Sequence, residues 1–170
     1  MSALSILFLV LPFPLLFIIH DAEEVMVQHR WMSAHKASLM ERFPMMRSII
    51  EHLSCIDTKA FAIAASEELV VLLLATCNVF VGGICYMQIW SALFMAFSLH
   101  LIVHIVQAIM VRGYVPGLVT SILLLPYAAY GMWSIWLVMS VWELLGWSIA
   151  GVAFMVVNLR FAHWLGMRIK

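Results

Sequence analysis

The sequence predicts an all-α protein, a polytopic membrane helix bundle. Five transmembrane helices and one interfacial amphipathic helix are expected, with the N-terminus out, the C-terminus in, and residues 1–170 forming one transmembrane helical domain. Three observations lead there. The chain is 65% hydrophobic and 11% charged, with a mean hydropathy of +1.06. The core of a soluble domain this size cannot hide that much apolar surface. The apolar stretches have lengths close to the ~20 residues that one crossing requires. Five crossings also place all nine Lys and Arg on one side, which the positive-inside rule makes cytoplasmic. Zero net charge gives no reason to expect a nucleic-acid partner.

The first span is expected at about 3–19, continuing as helix through HDAEE at 20–24. No basic residue precedes this apolar run, so it is expected to stay rather than be cleaved as a signal peptide. Arg30, Lys36, Arg42, Arg47 and Lys59 follow it. Between them Leu39, Phe43, Met46, Ile50 and Leu53 recur at helical spacing. That pattern predicts an amphipathic helix over about 38–56 on the inner membrane surface, as a cover or as a lid for a lipidic substrate. Pro44 suits its first turn or kinks it.

The second span is expected at about 60–81 and the third at about 87–111. The fourth is expected at about 116–133 and the fifth at about 137–159. Residues 115–159 are almost unbroken apolar sequence, and Tyr130, Gly131, Trp133 and Trp136 mark the expected turn. Arg112 lies between spans three and four, and Arg160, Arg168 and Lys170 follow span five. Tyr86, Trp90, Trp133 and Trp136 are expected at the outer interface, and Trp31, Tyr114 and Trp164 at the inner one. Cys55, Cys77 and Cys85 form no CxxC pair and are expected as small packing residues.

Seven ionisable side chains interrupt the apolar segments. They are His20, Glu23 and Glu24, then Glu67 and Glu68, then His100 and His104. A charge at the centre of a membrane helix costs roughly 2.5–3.5 kcal/mol on insertion scales, so such residues call for a functional reason. At a rise of ~1.5 Å per residue, counted from the basic anchors, all three clusters fall ~10–18 Å below the inner surface. His20, Glu23 and Glu24 stand at i, i+3 and i+4, and His100 and His104 at i and i+4, each set on one helix face. Glu67 and Glu68 are about 100° apart, so at most one points squarely at the centre.

Histidines and carboxylates contributed by several helices resemble the way bundles build metal sites. The expected ligands are His20, Glu23, Glu24, Glu67, His100 and His104. Glu24, Glu67 and Glu68 are the candidates for proton transfer. Iron, manganese or zinc suits this donor set, and its carboxylate richness favours a dinuclear site. Each cluster taken singly also has a structural explanation: a satisfied polar pair, an interfacial helix end, or a Glu67–Lys59 pair. Glu143 stands as an isolated polar residue, and His29, His35, His52 and His163 are expected to be solvated.

HDAEE at 20–24, a further histidine and YVPG at 114–117 resemble the HXXEE-motif family of small bacterial integral membrane proteins. The resemblance covers most of the chain. It implies a shared site at His20, Glu23, Glu24, Tyr114, Pro116 and Gly117, with either His100 or His104, and it supplies no reaction. It also implies a bacterial inner (cytoplasmic) membrane. Within YVPG, Pro116 and Gly117 are expected to end one helix and start the next. Tyr114 either anchors the interface or donates a hydrogen bond into the site, and the anchor is favoured.

Two functions fit. The first is a membrane-embedded metal-dependent enzyme, an oxidoreductase or hydrolase acting on a lipid or other hydrophobic substrate. The second is a proton- or cation-coupled transporter that uses the same residues as a relay. Membrane lipids are the expected partners, and a homodimer would supply the symmetry a carrier needs.

Overall fold

A computed structural model describes residues 6–169. The protein is all-helical, 88% helix with no strand among the described residues. Six α-helices follow in order: α1 Pro12–Arg42, α2 Arg47–Ser54, α3 Thr58–Val81, α4 Tyr86–Val111, α5 Leu118–Trp136 and α6 Val141–Ile169. Four of them, α3 to α6, are long and apolar enough to cross a membrane. α1 is not among them, because every 18-residue stretch of it carries at least three charged side chains. Residues 3–5, where the first span was expected to begin, lie outside the described residues.

A short π-helical turn, Ile6–Val10, leads into α1. Pro12 and Pro14 lack the N–H that would continue a backbone ladder. Tyr127 on α5 donates instead to the carbonyl of Leu9, at 2.6 Å. From Pro12 the helix runs unbroken to Arg42, well past the expected end near residue 24. The amphipathic segment expected at 38–56 is therefore divided. Its first turn closes α1, Pro44 starts a 3-10 turn over Pro44–Met46, and only Arg47–Ser54 forms the separate helix α2. The apolar stripe still points inward: Leu39 and Ile50 are buried against Met32, with Phe43 and Leu53 beside them. Met46 is exposed.

α6 packs along both α3 and α4, with α1 against α3 and α5 against α4. Two glycines permit the close approach of α6. A Cβ on Gly151 would lie 2.2 Å from the Ala92 carbonyl oxygen of α4. One on Gly166 would lie 2.1 Å from that of Ala60 on α3. Small residues at helix contacts let backbones meet in this way. The core between α1, α4 and α5 is aromatic, with Phe13 edge-on to both Trp90 and Phe94. Trp90 is fully buried there, near the start of α4.

The turn between the last two helices lies later than expected. α5 continues through Tyr130, Gly131, Trp133 and Trp136, and the chain reverses over residues 137–140. Gly131 serves packing, since a Cβ there would meet Phe94 Cζ at 2.1 Å. Glu143 is no isolated residue. The Ser140 backbone N–H donates to its carboxylate at 3.0 Å and the Ser140 hydroxyl at 2.7 Å, while Glu143 N–H donates back to Ser140 Oγ. This S-x-x-E capping box starts α6. All three cysteines are free and exposed, contrary to their expected packing role. Cys55 and Cys85 sit in the connections flanking α3, where no helix covers them.

Candidate metal centre

The buried stripe of α1 runs through Phe13, His20, Asp21, Glu24, Gln28 and Met32. The i to i+4 spacing stacks Glu24 over His20 on the side facing α4. On α4 the same spacing stacks His100 and His104. Glu24 Oε1 lies 3.3 Å from His104 Nε2, and Glu24 Oε2 lies 3.5 Å from His100 Nε2 and 3.9 Å from His20 Nε2. The two α4 imidazoles present Nε2 atoms 2.9 Å apart. His20, Glu24, His100 and His104 thus each offer a ligand atom, all within 4.8 Å of one another. His20, Glu24 and His104 are buried. No other such group of three or more His, Cys, Asp or Glu occurs among the described residues.

The donor set passes a simple geometric test. A tetrahedral ion with ligands at ~2.0–2.1 Å sets ligand-to-ligand edges of about 3.3–3.4 Å. Four of the six edges, counted with either Glu24 oxygen, run from 2.9 to 3.9 Å around that value, and all four ligand atoms lie within 4.8 Å of one another.

Hydrogen-bond direction supplies a second test. Glu23 projects to the other side of α1, towards the start of α5. Its carboxylate accepts from Thr120 N–H at 2.8 Å, Val119 N–H at 3.3 Å, the Thr120 hydroxyl at 2.6 Å and the Tyr114 hydroxyl at 2.8 Å. The helix N-terminus is a natural seat for an anion. Thr120 has one hydroxyl proton, and of its three possible acceptors, the Glu23 carboxylate at 2.6 Å, His20 Nδ1 at 2.9 Å and the Gly117 carbonyl at 3.3 Å, the charged carboxylate is the nearest and the strongest. Towards His20 Nδ1, 2.9 Å away, the hydroxyl can therefore only accept. The proton of neutral His20 must sit on Nδ1, which leaves Nε2 a bare lone pair. That atom is buried, faces the cluster and has no hydrogen-bond partner. A buried imidazole lone pair beside two more imidazoles and a carboxylate fits the donor set of a metal site. A fixed tautomer held by an outer hydrogen bond is the usual support for such a ligand.

Tyr114 is thus a hydrogen-bond donor into this network rather than only an anchor. Its hydroxyl is pushed up to about 12, by burial first and then by Glu23, so it keeps its proton at neutral pH. Gly117 adopts φ +79° as the residue before α5, and a Cβ there would meet His104 Cε1 at 2.9 Å. The glycine both turns the chain and makes room for the imidazole.

Glu67 turns away from the cluster, and Asn158 on α6 donates to it at 3.0 Å. Glu68 lines a cavity together with Asp21, Glu24 and His100. His163 is buried on the same wall, not solvated, with its Nδ1 3.4 Å from His52 Nε2. His29 and His52 are exposed and His35 is half-buried.

Sequence reasoning passed over Asp21, Thr120 and Asn158. Asp21 and Glu24 are one helical turn apart, so a second acid on the inner stripe was readable. Thr120 carried a weaker signal, as a hydroxyl within the first turn after Pro-Gly. Asn158 carried none.

A family model described as a protein of unknown function with HXXEE motif matches residues 11–131. That stretch contains His20, Glu23, Glu24, His100, His104 and the YVPG turn. No curated protein and no solved structure matches the chain.

Proposed function

The chain belongs to the HXXEE-motif family, and from that premise we propose that it is a membrane-embedded, metal-dependent enzyme acting on a hydrophobic substrate. The observation that carries this reading is the bare Nε2 of His20, converging with His100, His104 and Glu24. Three imidazoles and one carboxylate suit a single divalent first-row ion: zinc, iron or manganese. The four groups meet around one point, which favours one ion over the dinuclear site that carboxylate count alone suggested.

Bound there, the ion would act as a Lewis acid and activate water or oxygen. The residues divide the remaining tasks. His20, His100, His104 and Glu24 hold the ion. Thr120 and Glu23 fix the tautomer of His20. Glu68, on the cavity wall beside Glu24 and His100, is the proton acceptor for the reaction. Glu67, held by Asn158, has no direct part.

The membrane setting is part of the proposal. α3 to α6 supply four crossings, and α1 with its preceding turn supplies a fifth, giving N-out and C-in. The cluster then lies in the inner leaflet of a cytoplasmic membrane, beside a cavity that is polar at one end and apolar at the other.

Metal analysis of the detergent-purified protein tests the reading. One equivalent of zinc, iron or manganese is expected, and less than a tenth of it in His20→Ala and in His104→Ala. Zinc, which has no redox chemistry of its own, would limit the ion to Lewis-acid and water-activating roles, whereas iron or manganese would also allow oxidation. A folded protein that takes up no ion would overturn the enzyme in favour of a proton relay.

A further inference from the structure

The cavity beside the cluster lies between α1, α3, α4 and α6 and has a volume of about 130 Å³. Its two ends differ in chemistry. One end carries Asp21, Glu24, Glu68, His100 and His163. The other is walled by Phe13, Phe17, Leu72, Leu93, Phe97 and Phe154. On α1 the wall extends from Glu24 back to Phe13, and on α3 from Phe61 to Leu72. At ~1.5 Å per residue each of these is about 16 Å, so the space is a slot along the helix axes. Such a slot takes one extended alkyl chain.

The polar end also selects. Among the described residues lining it there is no Lys or Arg. Three carboxyl groups lie there instead, and Glu24 alone belongs to the metal set. Asp21 is only 8% exposed, yet among the described residues it takes part in no hydrogen bond. Burying a polar group without a partner is costly, and such groups are normally satisfied by protein, water or ligand. A carboxylate or phosphate head would add a further anion beside Asp21, Glu24 and Glu68, where the donors on the wall are the imidazoles of His100 and His163 and an Asn158 amide already given to Glu67. A head that donates N–H or O–H would satisfy Asp21 and Glu68 together.

We propose that the cavity binds a single-chain amphiphile whose head is a hydrogen-bond donor, an alcohol or an amine. Its head lies against Asp21 and Glu68 beside the metal set, and its alkyl tail runs along the wall that Phe17 and Phe97 form together. This names the substrate class of the metal-dependent reading and rests on it. The physical claim, however, concerns binding.

The test is calorimetric titration of the full-length protein in lipid nanodiscs with dodecanol, dodecylamine and dodecanoate, each corrected for partition into empty nanodiscs. Dodecanol or dodecylamine is expected to bind at least tenfold tighter than dodecanoate, and the stronger of the two identifies the head. In Asp21→Asn with Glu68→Gln that preference should shrink to less than threefold while the metal content stays at its unmodified level. Ala65→Leu, which narrows the slot, should weaken all three ligands about equally. Dodecanoate binding as tightly as the other two would overturn the proposal, and that series needs only the unmodified chain. A preference that survives the double substitution would overturn it as well. Selective binding by a protein free of metal would count against the enzyme and leave this site standing.

Discussion

Replacing Thr120 by Val removes one hydroxyl and almost no volume. His20 is fully buried, and its Nδ1 proton then has no acceptor. A buried donor left unpaired costs about 1–3 kcal/mol. The imidazole has one escape: its proton can move to Nε2, the atom facing the cluster. That removes the lone pair a metal needs. Both outcomes weaken metal binding, by strain in the first and by blockage in the second. Outer-shell substitutions generally lower metal affinity 10–100-fold, about 1.4–2.7 kcal/mol, which agrees with the cost of the orphaned donor. Thr120→Val should therefore raise the metal dissociation constant about 10–100-fold, measured by chelator competition in detergent. Thr120→Ser keeps the hydroxyl and should stay close to the parent. His20→Ala should lose stoichiometric binding altogether. If Thr120→Val binds metal as tightly as the parent while His20→Ala does not, the Thr120–His20 bond does not set the tautomer and the reasoning fails.

Four further outcomes are expected. Tyr114→Phe removes one of four donors to Glu23, from a residue that is 40% exposed, so metal affinity should fall less than in Thr120→Val by the same competition assay. Gly117→Ala forces an L-residue to φ +79° and a Cβ against His104. A backbone cost of about 1–2 kcal/mol, seen as a lower thermal midpoint, should accompany weaker metal binding. Gly151→Ala drives a Cβ into the Ala92 backbone, whereas Gly146→Ala meets nothing within 4 Å; only the first should destabilise the protein in thermal melts. For topology, a membrane-impermeant thiol reagent on intact cells should label Cys85 and leave Cys55 unlabelled until permeabilisation. In a Cys85→Ser background, labelling of Ser2→Cys from outside would require α1 to cross, and its protection would remove the fifth span.

Much of this was legible because helical period and hydropathy act locally. α3 and α4 begin and end within two residues of the expected spans, since Gly82 and Arg112 close them where the apolar runs end. The turn before α6 was misplaced because aromatic residues and a glycine suggested an interface. Tertiary packing used Gly131 against Phe94 instead, and the capping box at Ser140–Glu143 was the better local signal. The end of α1 was misplaced for a related reason. Charged residues after position 24 do not break a helix; Pro44 does. At the site, depth and phase brought His20, Glu24, His100 and His104 to one layer. Whether Glu67 or Glu68 faced inward depended on α6, and Asn158 took Glu67. No single-helix pattern holds that information.

The two adjacent glutamates of HxxEE raise the same geometric issue, and its resolution ties the motif together. Successive residues on a helix diverge by about 100°. Glu23 and Glu24 therefore straddle His20 and cannot both serve one ion. Glu24 leans to α4 and joins the imidazoles, while Glu23 leans to α5 and caps its first turn. That cap is needed because the residue before α5 is Gly117, which offers no side chain to the free N–H groups. Gly117 is required in turn because His104 occupies the space of its absent Cβ. Thr120, positioned by the capped turn, then returns to His20 and fixes its proton. HxxEE on one helix, the histidine on another and YxPG before a third are thus mutually dependent parts. Loss of Glu23 would uncap α5, release Thr120 and free the His20 tautomer, without removing a single ligand atom.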